Sequence, residues 1–288
     1  MSEINREVKT KNGIILADKE IPDIHLSPSQ INMFDRCTQQ FYYRYIDPKI
    51  SIPPTKHLTA GTVFDDTLTN NYNQKIKSKV DLPVSDLLDI ADTSFSIRED
   101  ETEWFGESPI ETKDTIMGLV KAYSESGISE AIQPVAVQKL YEVKFEGLDW
   151  ILKGYSDLET EDTIIDNKTT GKSPSPNIEQ IDQSHKFQLD CYTIAKKYTE
   201  GVGEAEKRRI DYAVKLKTPK IVTVELPPLT EADAQFFKKK VSVQFEMMQA
   251  LRKGAIRPNP NRNHFMCSQK FCGYWELCLK DNGGTVKK

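Results

Sequence analysis

The sequence has no unbroken apolar run of about 18 residues, the length that a membrane-crossing helix requires. Its first residues, Met1 to Ala17, lack the basic start and apolar stretch of a secretion signal, so a cytosolic protein is expected. There is no surplus of positive charge: 39 Lys and Arg face 43 Asp and Glu, and bulk charge does not announce a nucleic-acid partner. No loop of the form GxxxxGK[ST] occurs, which excludes a P-loop motor. Internal repeats and low-complexity tracts are absent. Histidine is scarce; His57 reads as a loop residue, and His25, His185 and His264 read as structural or exposed, with no ligand-like partners in sequence. Cysteine is odd in number, at five, and without a secretion signal that argues against a disulfide framework.

What is present is a chain of 288 residues, long enough for one large domain or two small ones with a sizeable core. Charge is local. Lys207, Arg208, Arg209, Lys215, Lys217 and Lys220 form one basic segment, and Lys238, Lys239 and Lys240 a second; each reads as the solvated face of a strand or helix or as a contact for an anionic partner.

Residues 1–26 read as an irregular leader. Ser27-Pro28-Ser29-Gln30 has a Ser cap, a Pro at the first helical position and a Gln at the third, a capping-box start. The helix it opens carries Ile31, Phe34, Cys37 and Phe41 on one face. A loop over Ile50–Lys56 and a helix over Leu58–Tyr72 follow, and 81–137 is mostly helical with loops around Glu101–Pro109. From Gln138 the period becomes two: Tyr141, Val143 and Phe145, then Leu148, Trp150 and Leu152, then strands over Gly154–Glu159 and Thr163–Lys168. Gln180–Tyr198 reads as a helix, Arg209–Leu226 as one or two strands bent at Thr218-Pro219, and Thr230 starts a long helix ending near Gly254. The division is a helical part over 27–137, a core over 138–256 with a largely antiparallel meander, and a C-terminal segment over 257–288. The fold class is mixed α/β.

Asp157 and Asp166 would meet across adjacent strands through the turn at Thr160-Glu161-Asp162. Asp166 and Lys168, two apart, share a strand face. Two carboxylates brought together repel unless a proton or cation lies between them, and hard oxygen donors favour Mg²⁺ or Mn²⁺. Such an ion polarises a phosphoryl oxygen, and a neighbouring lysine offsets charge developing on the phosphate. The group suits phosphodiester hydrolysis, and an acidic average is what a cation-holding site would give.

The order Gly154-Tyr155-Ser156-Asp157, then Asp166-Asn167-Lys168, then Gln188-Leu189-Asp190-Cys191-Tyr192 resembles the PD-(D/E)XK nuclease superfamily in its RecB-like branch. The resemblance implies a restriction-endonuclease-like mixed sheet flanked by helices. It assigns catalysis to Asp157, Asp166 and Lys168, and the positioning of DNA or of the active-site lysine to Gln188 and Tyr192, which share a helix face. It places divalent-metal ligands at Asp65, Asp157, Asp166 and Asn167, the last through its backbone carbonyl. Glu142 fits the acidic position the family often has upstream, or is an exposed strand residue. At Gly61-Thr62-Val63-Phe64-Asp65 the chain departs from the family, which often has a histidine where Asp65 stands. That exchange either shifts metal preference towards Mg²⁺ or marks weakened catalysis.

Cys267, Cys272 and Cys278 form C-x4-C-x5-C, a density that in a reduced compartment suggests metal ligation. A fourth thiolate could come from Cys37 or Cys191, and Cys191 reads as a small core residue. The segment around Cys37 resembles the iron–sulfur nucleases of this branch, of the AddB, CRISPR-associated and phage types. The resemblance implies a [4Fe–4S] cluster on Cys37, Cys267, Cys272 and Cys278, with Zn²⁺ as the alternative occupant. It implies a stand-alone exonuclease cutting single-stranded DNA or DNA ends, in a prokaryotic or phage-infected cytoplasm, with a recombination, replication or CRISPR-adaptation protein as a partner. A non-catalytic DNA-binding or assembly module on the same scaffold, and an endonuclease of the same superfamily, remain the alternatives.

Overall fold

A computed structural model describes residues 10–11, 14–15, 25–48, 51–175, 181–201, 207–269 and 271–284. Most of the expected leader lies outside the described residues, as do Ile50 and Gln180, the expected starts of a loop and a helix. In chain order the elements are β1 (Thr10–Lys11), β2 (Ile14–Ile15), β3 (His25–Leu26), α1 (Pro28–Arg36), α2 (Thr38–Tyr45), α3 (Lys56–Ser78), α4 (Val84–Glu99), α5 (Pro109–Glu125) and α6 (Ile128–Ala131). They continue with β4 (Ala136–Phe145), β5 (Ile151–Glu159), β6 (Thr163–Thr170), α7 (Gln183–Glu200), β7 (Lys207–Val214), β8 (Lys220–Leu226), α8 (Glu231–Arg252) and α9 (Trp275–Asn282). The fold is a mixed sheet flanked by helices. No described helix is long and apolar enough to cross a membrane.

The chain forms two compact units. The first comprises Met1–Pro53, Glu142–Lys153 and Thr230–Lys288. Here α1 starts as its sequence predicts: Gln30 N–H donates to Ser27 Oγ, and Ser27 N–H donates to Gln30 Oε1 at 2.8 Å. The single helix expected across Cys37 is instead two. Cys37 has φ −165° and ψ 110°, closing α1 and opening α2. Nothing local forces the break; Asn261 does so from far along the chain, its amide donating to Arg36 O at 3.0 Å and its N–H to Cys37 Sγ at 3.5 Å. The leader is also not wholly irregular: β1 and β2 pair with each other, and β2 with the end of β4. The two strands expected either side of Lys153 are one, β5, with β3 alongside its start. Trp150 packs tilted against Phe145 with ring centroids 5.2 Å apart and donates to Ser242 of α8, and Lys240 of α8 pairs with Asp35 at 2.8 Å. Helix α9 was not expected from the sequence.

The second unit comprises Pro54–Tyr141 and Gly154–Leu229. Its strand order is β4-β5-β6-β7-β8. β5 and β6 are antiparallel, as the turn at Thr160 predicts, but β6 and β7 run parallel over their whole length, from Thr163↔Lys207 to Thr170↔Val214. The expected largely antiparallel meander therefore gives way to a mixed sheet. Parallel neighbours cannot be joined by a tight turn, so the chain crosses over through α7, which lies on one sheet face. Strand alternation sorts the two faces. Leu158, Ile165 and Ala213 pack with α3, α4 and α5, while Ile164, Ile210, Tyr212 and Val214 pack with Leu189 and Tyr192 of α7.

Much of the basic segment on β7 is consumed internally. Lys207 pairs with Asp162 and Arg209 with Asp211, each at 2.8 Å, and buried Arg208 bridges Asp190 and the Pro227 carbonyl.

Glu159, fully buried, accepts from Tyr141 Oη and Ser156 Oγ, both at 2.6 Å, and pairs with Lys196 of α7 at 3.2 Å. Burial pushes its carboxyl up, but those hydrogen bonds together with Lys196 and Lys139 outweigh it and hold it below the usual carboxylate range. Because the folded value is lowered, this stabilisation is present above the unfolded carboxylate value and lost as pH falls through the folded one. Glu159→Ala removes the carboxylate that Lys196 is buried against. We expect a loss of about 3–5 kcal/mol in a urea melt at neutral pH, narrowing in acid; an unchanged midpoint would show the network to be inert.

Candidate active site

The site lies on the α7 face of the second unit's sheet. Ile164 packs beneath α7, so Asp166 and Lys168, two and four residues on, leave the same face. The β5–β6 ladder pairs Leu158 with Ile165 and Glu159 with Ile164, and among the described residues it ends there. Beyond it, the Asn167 N–H donates to Asp157 Oδ2 at 2.9 Å. A carboxylate has taken the place of a ladder carbonyl, and the fork it creates holds Asp157 beside Asp166. The two aspartates thus meet where the sequence expected them.

Asp166 is fully buried. Its Oδ2 lies 2.7 Å from Lys168 Nζ and Asp157 stands beside it, yet neither oxygen receives a well-directed hydrogen bond. Burial pushes its carboxyl up to about 7, with Lys168 pulling it down and Asp157 pushing it up. Asp65, reaching in from α3, is likewise pushed up to about 7, by burial first and then by Asp157, against the pull of Lys168. Burial alone would lower the Lys168 ammonium; Asp166, Asp157 and Asp65 together outweigh it and hold it above the usual lysine range. Three carboxyls and one ammonium thus share a desolvated space with charge unbalanced on the acidic side.

Helix α7 covers this group. Asp182 caps its start by accepting from Ser184 N–H, and Gln188 Nε2 donates to Tyr192 Oη at 2.8 Å across one turn. Burial and then Asp166 raise the Tyr192 phenol. Cys191 points into the core, as expected.

His185 is the residue that sequence reasoning missed. It sits one turn before Gln188, on the same helix face. Its Nδ1 lies 3.2 Å from Tyr212 Oη, and Tyr212 stands directly beside Lys168 in the β6–β7 register. Burial, then Lys168, pushes the imidazole down to about 4, so it is neutral at physiological pH. The i,i+3 spacing to Gln188 was the available signal. Gln138 of β4 also enters, donating to Asp65 Oδ2 at 3.2 Å. Tyr155, two residues before Asp157 on the same strand face, is about half exposed. Glu142, at the upstream acidic position, instead pairs with Lys153 in the first unit.

Among the described residues, no group of three or more His, Cys, Asp and Glu side chains is arranged to hold a metal ion. The donor chemistry still fits one at the aspartates. Asp166 Oδ1 is a buried acceptor that receives no well-directed hydrogen bond, and hard carboxylate oxygens are what Mg²⁺ and Mn²⁺ select.

In the first unit, Cys37, Cys267, Cys272 and Cys278 line a common cavity with Arg36, Tyr43 and Trp275. Burial pushes the Cys272 thiol up to about 11, and Cys37, Cys267 and Cys278 add to the shift. Gly273 is required beside it, since a Cβ would stand 2.3 Å from Ile52 Cγ2. Four soft thiols around one cavity fit a thiolate-bound metal group.

A family model of the PD-(D/E)XK nuclease superfamily matches residues 25–279. Comparison with curated proteins finds no match. Among solved structures, a "putative exonuclease" from Eubacterium rectale is similar at a TM-score of 0.59 and 12% identity, over 92% of this chain and 90% of that one. At that identity the likeness is one of fold.

The raised Asp65 carboxyl gives a signed prediction. Its folded value, about 7, exceeds the unfolded one, so stability is full below the unfolded value and lost as pH rises towards 7. Asp65→Asn removes that dependence. The metal-free variant should melt higher than metal-free wild type at pH 8, with the gap closing by pH 4; equal melting temperatures at pH 8 would refute the buried-charge account.

Proposed function

The chain belongs to the PD-(D/E)XK nuclease superfamily, and from that membership we propose that it is a metal-dependent DNA exonuclease acting on single-stranded DNA or DNA ends. The superfamily implies phosphodiester hydrolysis. The observation that carries the reading is the buried Asp166 carboxylate, without a well-directed hydrogen bond, enclosed by Asp157, Asp65 and Lys168.

Asp157, Asp166, Asp65 and the Asn167 backbone carbonyl are the groups that would hold Mg²⁺ or Mn²⁺, which supplies Lewis-acid polarisation of the phosphate and a more acidic water. Lys168 is fixed by Asp166 and stays charged, so it orients the attacking water and offsets negative charge growing on the phosphate. Gln188 and Tyr192, locked to each other on α7, position the substrate strand. The exposed ring of Tyr155 offers a stacking surface to an unpaired base beside Asp157, which supports a single-stranded substrate. In this reading the core over 138–256 supplies the strands and α7, and the helical part over 27–137 supplies Asp65. The printed name of the structural neighbour favours an exonuclease.

The four-cysteine cavity is assigned to a [4Fe–4S] cluster, tying the break between α1 and α2 to the C-terminal segment within the first unit. Zn²⁺ is the competing occupant. Anaerobically purified protein should be brown with broad visible absorption, and Cys272→Ser should lose it; a colourless wild type containing Zn²⁺ would assign the site to zinc.

End-labelled single strands test the activity. With Mn²⁺ or Mg²⁺, wild type should degrade them, while Lys168→Ala should cut at least about 100-fold more slowly at unchanged DNA binding. Equal rates in the two proteins would overturn the assignment. Closed circular single strands should survive, and their cleavage would make the enzyme an endonuclease.

A further inference from the structure

Gln138 lies within β4 at φ 48°, in the left-handed region that non-glycine residues rarely enter. Inside a strand, such a residue re-aims its side chain away from the regular pleat. Here the re-aimed amide reaches α3. Gln138 Nε2 donates to Asp65 Oδ2 at 3.2 Å and to Thr69 Oγ1 at 3.4 Å. Asp65 and Thr69 are four residues apart, so one strand amide spans two successive turns of the helix on a single face. A glycine would hold this backbone without strain. A glutamine held there by contacts at its far end points to a conformation maintained by what its side chain grips.

The grip has a direction. Asp65 comes from the helical layer, whereas Asp157 and Asp166 stand on neighbouring strands. Among these carboxylates it is the one whose position depends on a helix meeting a sheet. A free aspartate rotates about two bonds. With Oδ2 engaged by the amide, that rotation is restricted and Oδ1 remains for a ligand. We infer that Gln138 is a positioning residue that, through its left-handed backbone in β4, fixes the Asp65 carboxylate for the divalent cation of the site. The inference rests on the reading of Asp65 as a metal ligand proposed above. Groups that orient a ligand in this way typically account for 10- to 100-fold of metal affinity.

The test is Mn²⁺ binding to the full chain by calorimetry, without DNA, alongside thermal melting of the metal-free protein. Three variants are compared with wild type: Gln138→Gly, Gln138→Asn and Asp166→Asn. Glycine frees the left-handed backbone and deletes the amide. Asparagine tolerates that backbone but is one methylene too short to reach Asp65 as Gln138 does. We expect both Gln138 variants to melt at or above the wild-type temperature and to bind Mn²⁺ at least about tenfold more weakly. Asp166→Asn should abolish this binding. Wild-type affinity in Gln138→Gly, with binding lost in Asp166→Asn, overturns the positioning role and leaves the metal site standing. A melting temperature lowered in both Gln138 variants, with affinity unchanged, also overturns it and makes the Gln138 contacts structural. No Mn²⁺ binding by wild type, or binding that Asp166→Asn leaves intact, overturns the metal-site reading and the inference with it.

Discussion

The second unit is organised around a carboxylate buried where it cannot be hydrated. Asp166 follows Ile164 on the α7 face of β6, and that face is dry because the parallel neighbour β7 obliges the chain to cross back through a helix. The crossover brings Gln188, Tyr192 and His185 over the carboxylate. The fork from β5 brings Asp157 beside it, and Lys168 is drawn in as the nearest cation. If β6 and β7 were antiparallel, a hairpin would replace α7 and leave Asp166 open to water, with an ordinary carboxyl and no reason to gather partners. The chemistry of the group follows from the direction of one strand.

That arrangement has a thermodynamic consequence. Asp65 and Asp166 are both held near 7 instead of in the usual carboxylate range, so at neutral pH their ionisation works against folding. The same sheet carries its counterweight two residues from Asp157. Glu159 is as deeply buried as Asp166, yet Tyr141, Ser156 and Lys196 satisfy it and hold it low. Both side chains are closed to solvent, but desolvation and the like charge of Asp157 win at Asp166, whereas hydrogen bonds and lysines win at Glu159. A satisfied carboxylate anchors β5 to α7, whereas a poorly satisfied one resists ionisation.

The legible parts of the sequence were those with short-range causes. The Ser27–Gln30 capping box, the turn at Thr160, the alternation that puts Asp166 and Lys168 on one face, and the i,i+4 pair Gln188 and Tyr192 all depend on residues within a few positions of each other. What escaped depends on distant contacts. Cys37 breaks a helix because Asn261, over two hundred residues later, takes the carbonyl of Arg36. The β6–β7 pair is parallel for a reason that no strand pattern carries. His185 seemed partnerless because Tyr212 and Lys168 come from two other elements. Gln138 resembled any strand glutamine, since its left-handed backbone and its reach to α3 exist only in the fold. The basic run at Lys207 to Arg209 shows the converse, since a cluster prominent in sequence is largely neutralised by Asp162, Asp190 and Asp211.

The two sets of candidate ligands neutralise themselves by different means when empty. At the aspartates an internal cation, Lys168, stands among the acids and stays charged, so the group can remain partly ionised without a metal. Lys168 must then share its carboxylates with any arriving divalent ion, which couples cation loading to the freedom of the residue that faces the phosphate. At the cysteines Arg36 and Arg262 line the cavity, and Arg262 pulls Cys267 and Cys278 down without prevailing. The thiols instead keep their protons, because burial and mutual repulsion raise Cys267, Cys272 and Cys278 above the usual thiol value. A thiolate-binding metal must displace those protons, and its hold weakens as pH falls. The acidic group is thus neutralised by an internal cation, and the thiol group by keeping its protons.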